Sequence, residues 1–231
     1  MLYAPHCLLC GRSLDALCPV CSECTRALPP LSGPRCLICQ HPLPDEGLDL
    51  CVRCGIQDRG FSHVIALGAY AGDWRRLVLD LKVGRDRIVA NFLSAKLGEE
   101  LLRQMPRVPH VLTFVPMTVR ERRSRGFNQS RLLATGVARR LGLPVARLLT
   151  KQVDTARQSV LTAKQRRENL HGAFRAVRSC AKPKSESVVL VDDVFTTGAT
   201  AEACSHALLG AGYREVNVLV VARAEGSYPS G

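Results

Sequence analysis

Short runs of apolar, mostly β-branched residues recur along the chain, and between them lie longer stretches with apolar residues every three or four positions. The short runs are typical of buried strands in a parallel sheet, and the longer stretches are typical of amphipathic helices. We therefore predict an α/β fold with a mainly parallel sheet and flanking helices. The predicted strands cover residues 64–70, 111–115, 145–149, 188–191 and 216–222.

The predicted helices fall between these strands. They cover residues 73–81, 88–101, 128–141 and 200–211. Asp73 is expected to cap the first of them, since a short acidic side chain can accept the free N–H groups of a helix start. Gly212 is expected to end the last one.

The strand at 188–191 is followed by Asp192, Asp193 and a threonine-rich turn at 196–200. Ligands of open α/β sheets bind at the carboxyl ends of the strands. Such a turn offers backbone N–H groups, threonine hydroxyls and the start of a helix, which together suit a phosphate dianion. Gly198 can adopt a positive φ and lets the backbone approach a ligand closely. A sugar with vicinal hydroxyls and a 5′-phosphate would satisfy both the carboxylates and the turn.

This stretch resembles the motif with which type I phosphoribosyltransferases bind 5-phosphoribosyl-1-pyrophosphate (PRPP). The motif is an apolar strand, two acidic residues and a Thr-Thr-Gly-x-Thr loop. The resemblance implies that Asp192 and Asp193 are catalytic residues that accept hydrogen bonds from the ribose hydroxyls. Mg²⁺ would bridge ribose and pyrophosphate oxygens. The residues implied to hold the 5′-phosphate are Thr196, Thr197, Gly198, Ala199 and Thr200. The alternative is an ordinary turn with a capping threonine and two solvated aspartates.

A basic loop is predicted between the strand at 111–115 and the helix at 128–141. Guanidinium groups bind pyrophosphate and nucleic-acid phosphates equally well, so this loop is a candidate second anion site at the same edge of the sheet. A solvated arginine loop is the alternative. The candidate residues for pyrophosphate are Arg120, Arg122, Arg123 and Arg125.

Most of the eleven cysteines form Cys-x-x-Cys pairs within the first 60 residues. This spacing lets two sulfurs reach one tetrahedral zinc, and four thiolates leave no open position, so the predicted zinc ions are structural. One is assigned to Cys7, Cys10, Cys21 and Cys24, and the other to Cys36, Cys39, Cys51 and Cys54. An interleaved pairing, Cys18 in place of Cys21 or Cys24, and His6 as a ligand are alternatives.

The charge of +12 is unevenly distributed along the 231 residues. Residues 1–60 hold five basic and six acidic residues, so the remainder carries a net charge of +13. We therefore divide the chain into a zinc module at 1–60 and a larger basic domain at 61–231. A basic surface suits phosphates, from a small anion to a nucleic-acid backbone, although it can also serve only solubility.

The sequence contains no apolar run long enough to cross a bilayer and no signal-peptide pattern, so we expect a cytoplasmic protein. The polar, basic stretch at 155–174 is either a mobile cover over the site or an exposed helix. Cys180 and Cys204 have no persuasive histidine partner and are interpreted as inert thiols.

The cysteine-rich module, the Arg-Gly-Phe-Asn-Gln run at 125–129 and the segment at 155–174 resemble the ComF family. The resemblance implies a zinc-carrying, phosphoribosyltransferase-like protein linked to natural competence, the import of single-stranded DNA. The implied reaction transfers phosphoribose from PRPP to an unspecified acceptor and releases pyrophosphate. Alternatives are a PRPP or nucleotide sensor without turnover, and a DNA-handling adaptor that contacts competence proteins. Cys18 departs from the family pattern, and the oligomeric state is open.

Overall fold

The computed structural model describes residues 6–14, 18–83, 87–105, 109, 111–152, 172–177 and 187–225. The helices in these ranges are α1 (Ser22–Ala27), α2 (Val52–Ile56), α3 (Gly72–Val83), α4 (Arg87–Gln104), α5 (Val119–Arg125), α6 (Gln129–Leu141) and α7 (Ala199–Leu209). The strands are β1 (His63–Ala69), β2 (Val111–Phe114), β3 (Leu149–Lys151), β4 (Phe174–Ala176), β5 (Ser187–Phe195) and β6 (Glu215–Arg223).

Four strands form one parallel sheet in the order β1-β6-β5-β2. Val188, Val189, Leu190 and Val191 of β5 are all fully buried, as expected for a central strand that is covered on both faces. β3 and β4 pair antiparallel in a separate two-stranded sheet. The predicted α/β architecture with a mainly parallel sheet is confirmed.

Alternate residues of β5 point into two hydrophobic cores, one on each face of the sheet. Val189 and Val191 pack with α3, α4 and α6 on one face. Val188 and Leu190 pack with α7, β3 and β4 on the other face. The period of two along a strand thus divides one apolar run between two layers of flanking elements.

The cysteine-rich segment packs on both faces of the sheet beside the edge strand β1. Cys7 and Cys21 join the core formed with α3, α4 and α6, whereas Cys36 and Cys54 join the core formed with α7. The backbone N–H of Val64 in β1 donates to the carbonyl oxygen of Ile38 (2.8 Å). This segment therefore pairs with the outer edge of β1 near its start, where an open edge could pair with another strand.

The prediction of a strand at residues 145–149 is wrong about where this strand begins. Val145 forms an isolated parallel bridge with Leu112, and regular pairing begins only at Leu149, in β3. Pro144 provides no N–H for a strand ladder, and Arg147 is exposed, so the chain follows the edge of β2 without building a full strand.

The loop predicted for the arginines is also wrong, because residues Val119–Arg125 form helix α5. Thr118 accepts a hydrogen bond from the backbone of Glu121, and the Glu121 side chain accepts one from the backbone of Thr118, which completes a capping box. Gly126 ends the helix in the left-handed conformation (φ 82°). The Thr-x-x-Glu spacing was the signal in the sequence for this helix start.

Three predicted boundaries shift by a few residues. β5 continues through Phe195, so Asp192 and Asp193 lie within the strand instead of following it. Asp73 lies in the first turn of α3, and α7 ends at Leu209, before Gly212. The stretch at 155–171 and Cys180 lie outside the described residues. Within the described part of the chain, no helix combines the length and apolarity needed to cross a bilayer.

Candidate functional site

The acidic pair lies where β5 extends beyond its neighbour β2. Pairing with β2 reaches Val191, whereas pairing with β6 continues as far as Phe195. α6, which follows β2, covers one face of the sheet, and α7, which follows β5, covers the other. Helices that follow two neighbouring strands on opposite faces are the arrangement in which open α/β sheets bind ligands at the carboxyl ends of their strands.

The start of α6 holds both carboxylates. The Ser130 hydroxyl donates to Oδ1 of Asp192 (2.8 Å), and the amide of Gln129 donates to Oδ2 of Asp193 (3.4 Å). Asn128 caps α6 by accepting from the backbone N–H of Arg131 and donates to the carbonyl of Val115 (3.0 Å). The Arg-Gly-Phe-Asn-Gln run thus ends α5, ties α6 to the end of β2 and positions the groups that contact the acidic pair.

Lys82, from the last turn of α3, forms an ion pair with Oδ2 of Asp193 (2.9 Å). The two aspartates are therefore not equivalent. Burial and the neighbouring charge of Asp193 raise the pKa of Asp192 to about 8. Asp193 thus has a cationic partner, whereas the raised pKa of Asp192 favours its protonated form at neutral pH.

The turn after β5 requires glycine at position 198. Gly198 is the N-cap of α7 with φ 81°, a conformation that strains any residue with a Cβ. A Cβ at this position would lie 2.3 Å from Nη2 of Arg59 and 2.4 Å from Cζ of Phe195. The backbone of the turn therefore packs directly against these two side chains, and its shape depends on them.

A pocket of about 190 Å³ connects the acidic pair with the turn. Its polar and glycine lining residues are Lys82, Asp192, Asp193, Thr196, Gly198 and Thr200. The structure thus brings both predicted carboxylates together with three of the five predicted phosphate-binding residues. The other two, Thr197 and Ala199, are not among the described residues that line this pocket. Lys82 was not predicted, because a lysine at the end of an amphipathic helix carries no sequence signal of its own.

The arginines of α5 lie beside a different cavity, of about 700 Å³. Its described lining includes Arg120 and Arg123, three residues apart on one helix face, but not Arg122 and Arg125. Lys151 also lines it and pairs with Glu121 (2.7 Å). The structure therefore divides the four predicted arginines into two pairs and places neither pair in the pocket of Asp192 and Asp193.

The described cysteines contain two groups whose sulfurs lie within 4.8 Å of one another: Cys7, Cys10, Cys21 and Cys24, and Cys36, Cys39, Cys51 and Cys54. Ligands about 2.3 Å from a tetrahedral zinc are about 3.8 Å apart. The Sγ atoms of Cys10 and Cys21 are 3.8 Å apart, and those of Cys39 and Cys51 are 3.7 Å apart, so both groups fit zinc.

Two further cysteines in the described ranges, Cys18 and Cys204, lie outside these two groups. The Cys18 thiol donates to the carbonyl of Val20 (3.0 Å). Cys204 is fully buried, and burial raises the pKa of its thiol well above the usual range. A buried neutral thiol is unreactive, in agreement with the interpretation of Cys204 from the sequence.

Family models match both parts of the chain. Residues 1–55 match the double zinc ribbon domain, and residues 128–229 match the phosphoribosyl transferase domain. The chain therefore carries a double zinc ribbon with two four-cysteine groups, followed by a domain of the phosphoribosyltransferase type. The cysteine groups and the ribbon match together support structural zinc.

The chain is also similar to named bacterial proteins over nearly its whole length. It is 32% identical to the DNA utilization protein YhgH of Escherichia coli K12, covering 96% of this chain and 99% of that protein. It is 30% identical to competence protein F of Haemophilus influenzae, with 95% and 97% covered. Among solved structures, glutamine PRPP amidotransferase from B. subtilis matches at 23% identity and a TM-score of 0.41, over 61% of this chain and 30% of that one.

Proposed function

The chain belongs to the ComF family, and on that premise we propose that it binds PRPP and transfers its phosphoribosyl group to an acceptor, with release of pyrophosphate. One observation carries the proposal. The acidic pair and the threonine turn line a single pocket at the carboxyl end of β5. Ribose hydroxyls and a 5′-phosphate lie at opposite ends of one sugar, and this pocket offers two carboxyl groups for the former beside Thr196, Thr200 and the start of α7 for the latter.

The roles proposed for the side chains follow from their chemistry. Asp192 and Asp193 accept hydrogen bonds from the two ribose hydroxyls, and their negative charge stabilises the positive charge that develops on the ribose ring. Thr196, Thr200 and the backbone around Gly198 bind the 5′-phosphate. Lys82 limits the repulsion between the acidic pair and the phosphates. Mg²⁺ would enter together with PRPP and would offset the negative charge on the departing pyrophosphate.

Calorimetry with PRPP and Mg²⁺ tests the binding. Asp192→Asn combined with Asp193→Asn should abolish PRPP binding, because amides replace the two carboxylates that the ribose hydroxyls need as acceptors. The matched control is Asp45→Asn with Glu46→Gln, which makes the same change from carboxylate to amide at two exposed residues of the zinc module. Equal PRPP affinity in the site variant and the control would refute the proposal.

Turnover is tested separately, by a screen for pyrophosphate release with bases, nucleosides and nucleotides as acceptors. Release above the rate of the Asp192→Asn, Asp193→Asn variant supports the transferase. Tight PRPP binding without release by any acceptor supports instead the sensor without turnover.

A role in handling single-stranded DNA is the second candidate function. The relatives named above are called a DNA utilization protein and a competence protein. In this chain, Arg120, Arg123 and Lys151 line one wide cavity, and such a basic surface suits a phosphate backbone.

A further inference from the structure

We propose that Arg53 and Arg59 are positioning residues that hold the phosphate-binding turn at 196–200 in its binding conformation. Both arginines come from the second zinc ribbon, defined here as residues 34–59, and both reach across to this turn. The inference rests on the proposed function for its ligand, but the geometry that carries it concerns the turn itself.

The carbonyl oxygen of Thr197 accepts hydrogen bonds from both arginines. Nη1 of Arg53 donates to it at 2.6 Å, and Nη2 of Arg59 donates at 3.1 Å. In a planar trans peptide the C=O and the following N–H point in opposite directions. Two guanidinium groups that fix the Thr197 carbonyl therefore direct the N–H of Gly198 away from the ribbon and stabilise one orientation of this peptide.

The same arginines offset an acidic residue close to the turn. Glu202 lies in the first turn of α7, where its charge would repel a bound phosphate. Its Oε2 accepts from Nη2 of Arg53 (2.7 Å) and from Nε of Arg59 (3.1 Å). The two guanidinium groups thus offset the charge of Glu202 and reduce its repulsion of an anion at the turn.

The position of both guanidinium groups depends on the second ribbon. Arg53 lies in α2 between Cys51 and Cys54, and Nη1 of Arg59 contacts Sγ of Cys54 (3.6 Å). Arg59 is only 2% exposed and would not be stable there without these partners. The second ribbon thus does more than fold around its own cysteines, because it positions the two arginines that contact the phosphate-binding turn.

Hydrogen–deuterium exchange on the full-length, zinc-loaded protein tests the positioning without any ligand. Arg53→Ala is the main variant, since its side chain is partly exposed and the buried Arg59 keeps its contacts. The amides of Ala199 and Glu202 donate to Oγ1 of Thr197 (3.4 Å) and to the carbonyl of Gly198 (2.8 Å), and both should exchange about tenfold faster once a hydrogen bond from a charged group to the turn is lost. Zinc content should stay at the wild-type value, and Arg53→Lys, which keeps the charge, should restore part of the protection.

The matched control is Arg12→Ala, which removes an arginine–glutamate pair (Arg12 to Glu23, 2.7 Å) from the first ribbon, the segment that carries Cys7, Cys10, Cys21 and Cys24. It should leave exchange of the Ala199 and Glu202 amides unchanged. Exchange in Arg53→Ala that equals that of this control would overturn the inference, whether or not PRPP binds.

A binding measurement separates positioning from charge. Ribose 5-phosphate and PRPP should each bind about tenfold more weakly to Arg53→Ala than to the wild type. If Arg53 acted only by neutralising Glu202, adding Glu202→Gln would restore the affinity, which would refute positioning. We expect the double variant to stay weak. Faster exchange in Arg53→Ala together with no PRPP binding by the wild type would refute the proposed function and leave the positioning role supported.

Discussion

Two adjacent aspartates in the same strand have different surroundings, and this asymmetry bears on how the pocket binds its ligand. Asp193 faces Lys82 at 2.9 Å, whereas Asp192 is held by the hydroxyl of Ser130 and has a pKa raised to about 8 by burial and by Asp193. A ligand that needs two carboxylates must therefore displace a proton from Asp192 at neutral pH.

We predict that PRPP affinity rises between pH 6 and pH 8 and then levels off. The pKa of Asp192 is raised, so the free protein is protonated at this residue below about pH 8, and binding that requires the carboxylate must release that proton. Calorimetry with Mg²⁺ and PRPP at several pH values measures the slope. PRPP phosphates also titrate, so Asp192→Asn is the reference, and an identical slope in that variant would contradict the prediction.

Lys82 is predicted to support ligand binding through charge. Lys82→Ala leaves Asp193 without its cation and brings uncompensated carboxylates close to the ligand phosphates, so PRPP affinity should fall about tenfold. Lys96→Ala is the matched control, because Lys96 pairs with Glu99 at 2.7 Å on the surface of α4. A loss of the same size in both variants would show that Lys82 has no specific role.

At the scale of elements, the helical structure of the arginine segment limits which of its arginines can contact the same anion. In a loop all four arginines can converge on one anion, but in α5 only Arg120 and Arg123 of these four arginines line the cavity of about 700 Å³. Arg122 and Arg125 point elsewhere, since a helix turns by 100° at each residue. Substitution of Arg120 and Arg123 can therefore be compared with the equivalent substitution of Arg122 and Arg125, which lie on the same helix.

We predict that single-stranded DNA binds weakly, and chiefly through charge, on the Arg120 and Arg123 face. Arg120→Glu with Arg123→Glu should reduce both the DNA affinity and the slope of log affinity against log salt. Arg122→Glu with Arg125→Glu makes the same change in net charge and should have a smaller effect. Fluorescence anisotropy on a labelled oligonucleotide across a salt series, with and without PRPP, measures both. DNA affinity that does not depend on salt would rule out this face as a DNA contact.

At the scale of the whole molecule, each of the two ribbons packs into a different one of the two hydrophobic cores that flank the sheet. The first ribbon packs with α3, α4 and α6, and the second packs with α7. Arg223, buried in β6, donates to the carbonyl of Cys39 (2.7 Å), so the sheet also holds the second ribbon. Loss of either metal site should therefore disturb one face of the sheet and not only a separate module.

Purified protein should contain about two zinc ions per chain, one for each group of four thiolates. Cys51→Ser should remove the second zinc and lower the thermal stability strongly, because a structural zinc contributes on the order of 10 kcal/mol to folding. Cys18→Ser should be mild, since this thiol donates only to a nearby carbonyl among the described contacts. Elemental analysis and thermal unfolding measure both, and a zinc content below one in protein purified without chelator would exclude the two-site arrangement.

Local sequence was sufficient for the features that depend on neighbours along the chain. The apolar run at 188–191, the acidic pair, the threonine turn and the Cys-x-x-Cys pairs each predict their own structure, because period, spacing and turn chemistry act over a few residues. The sequence also contained the Thr-x-x-Glu spacing of the α5 capping box, but the run of arginines that follows it favoured the prediction of a loop.

Tertiary structure alone decided which distant residues meet. Lys82 reaches Asp193 across 111 positions, Arg53 and Arg59 reach Thr197 across 144 and 138, and the α5 arginines divide between two directions. Such contacts arise from how helices pack on the two faces of a sheet, and a single charged residue carries no sign of the partner it will find there. The sequence therefore indicated which residues could form the site. The packing of the helices on the sheet determined which cations, Lys82, Arg53 and Arg59, lie beside it.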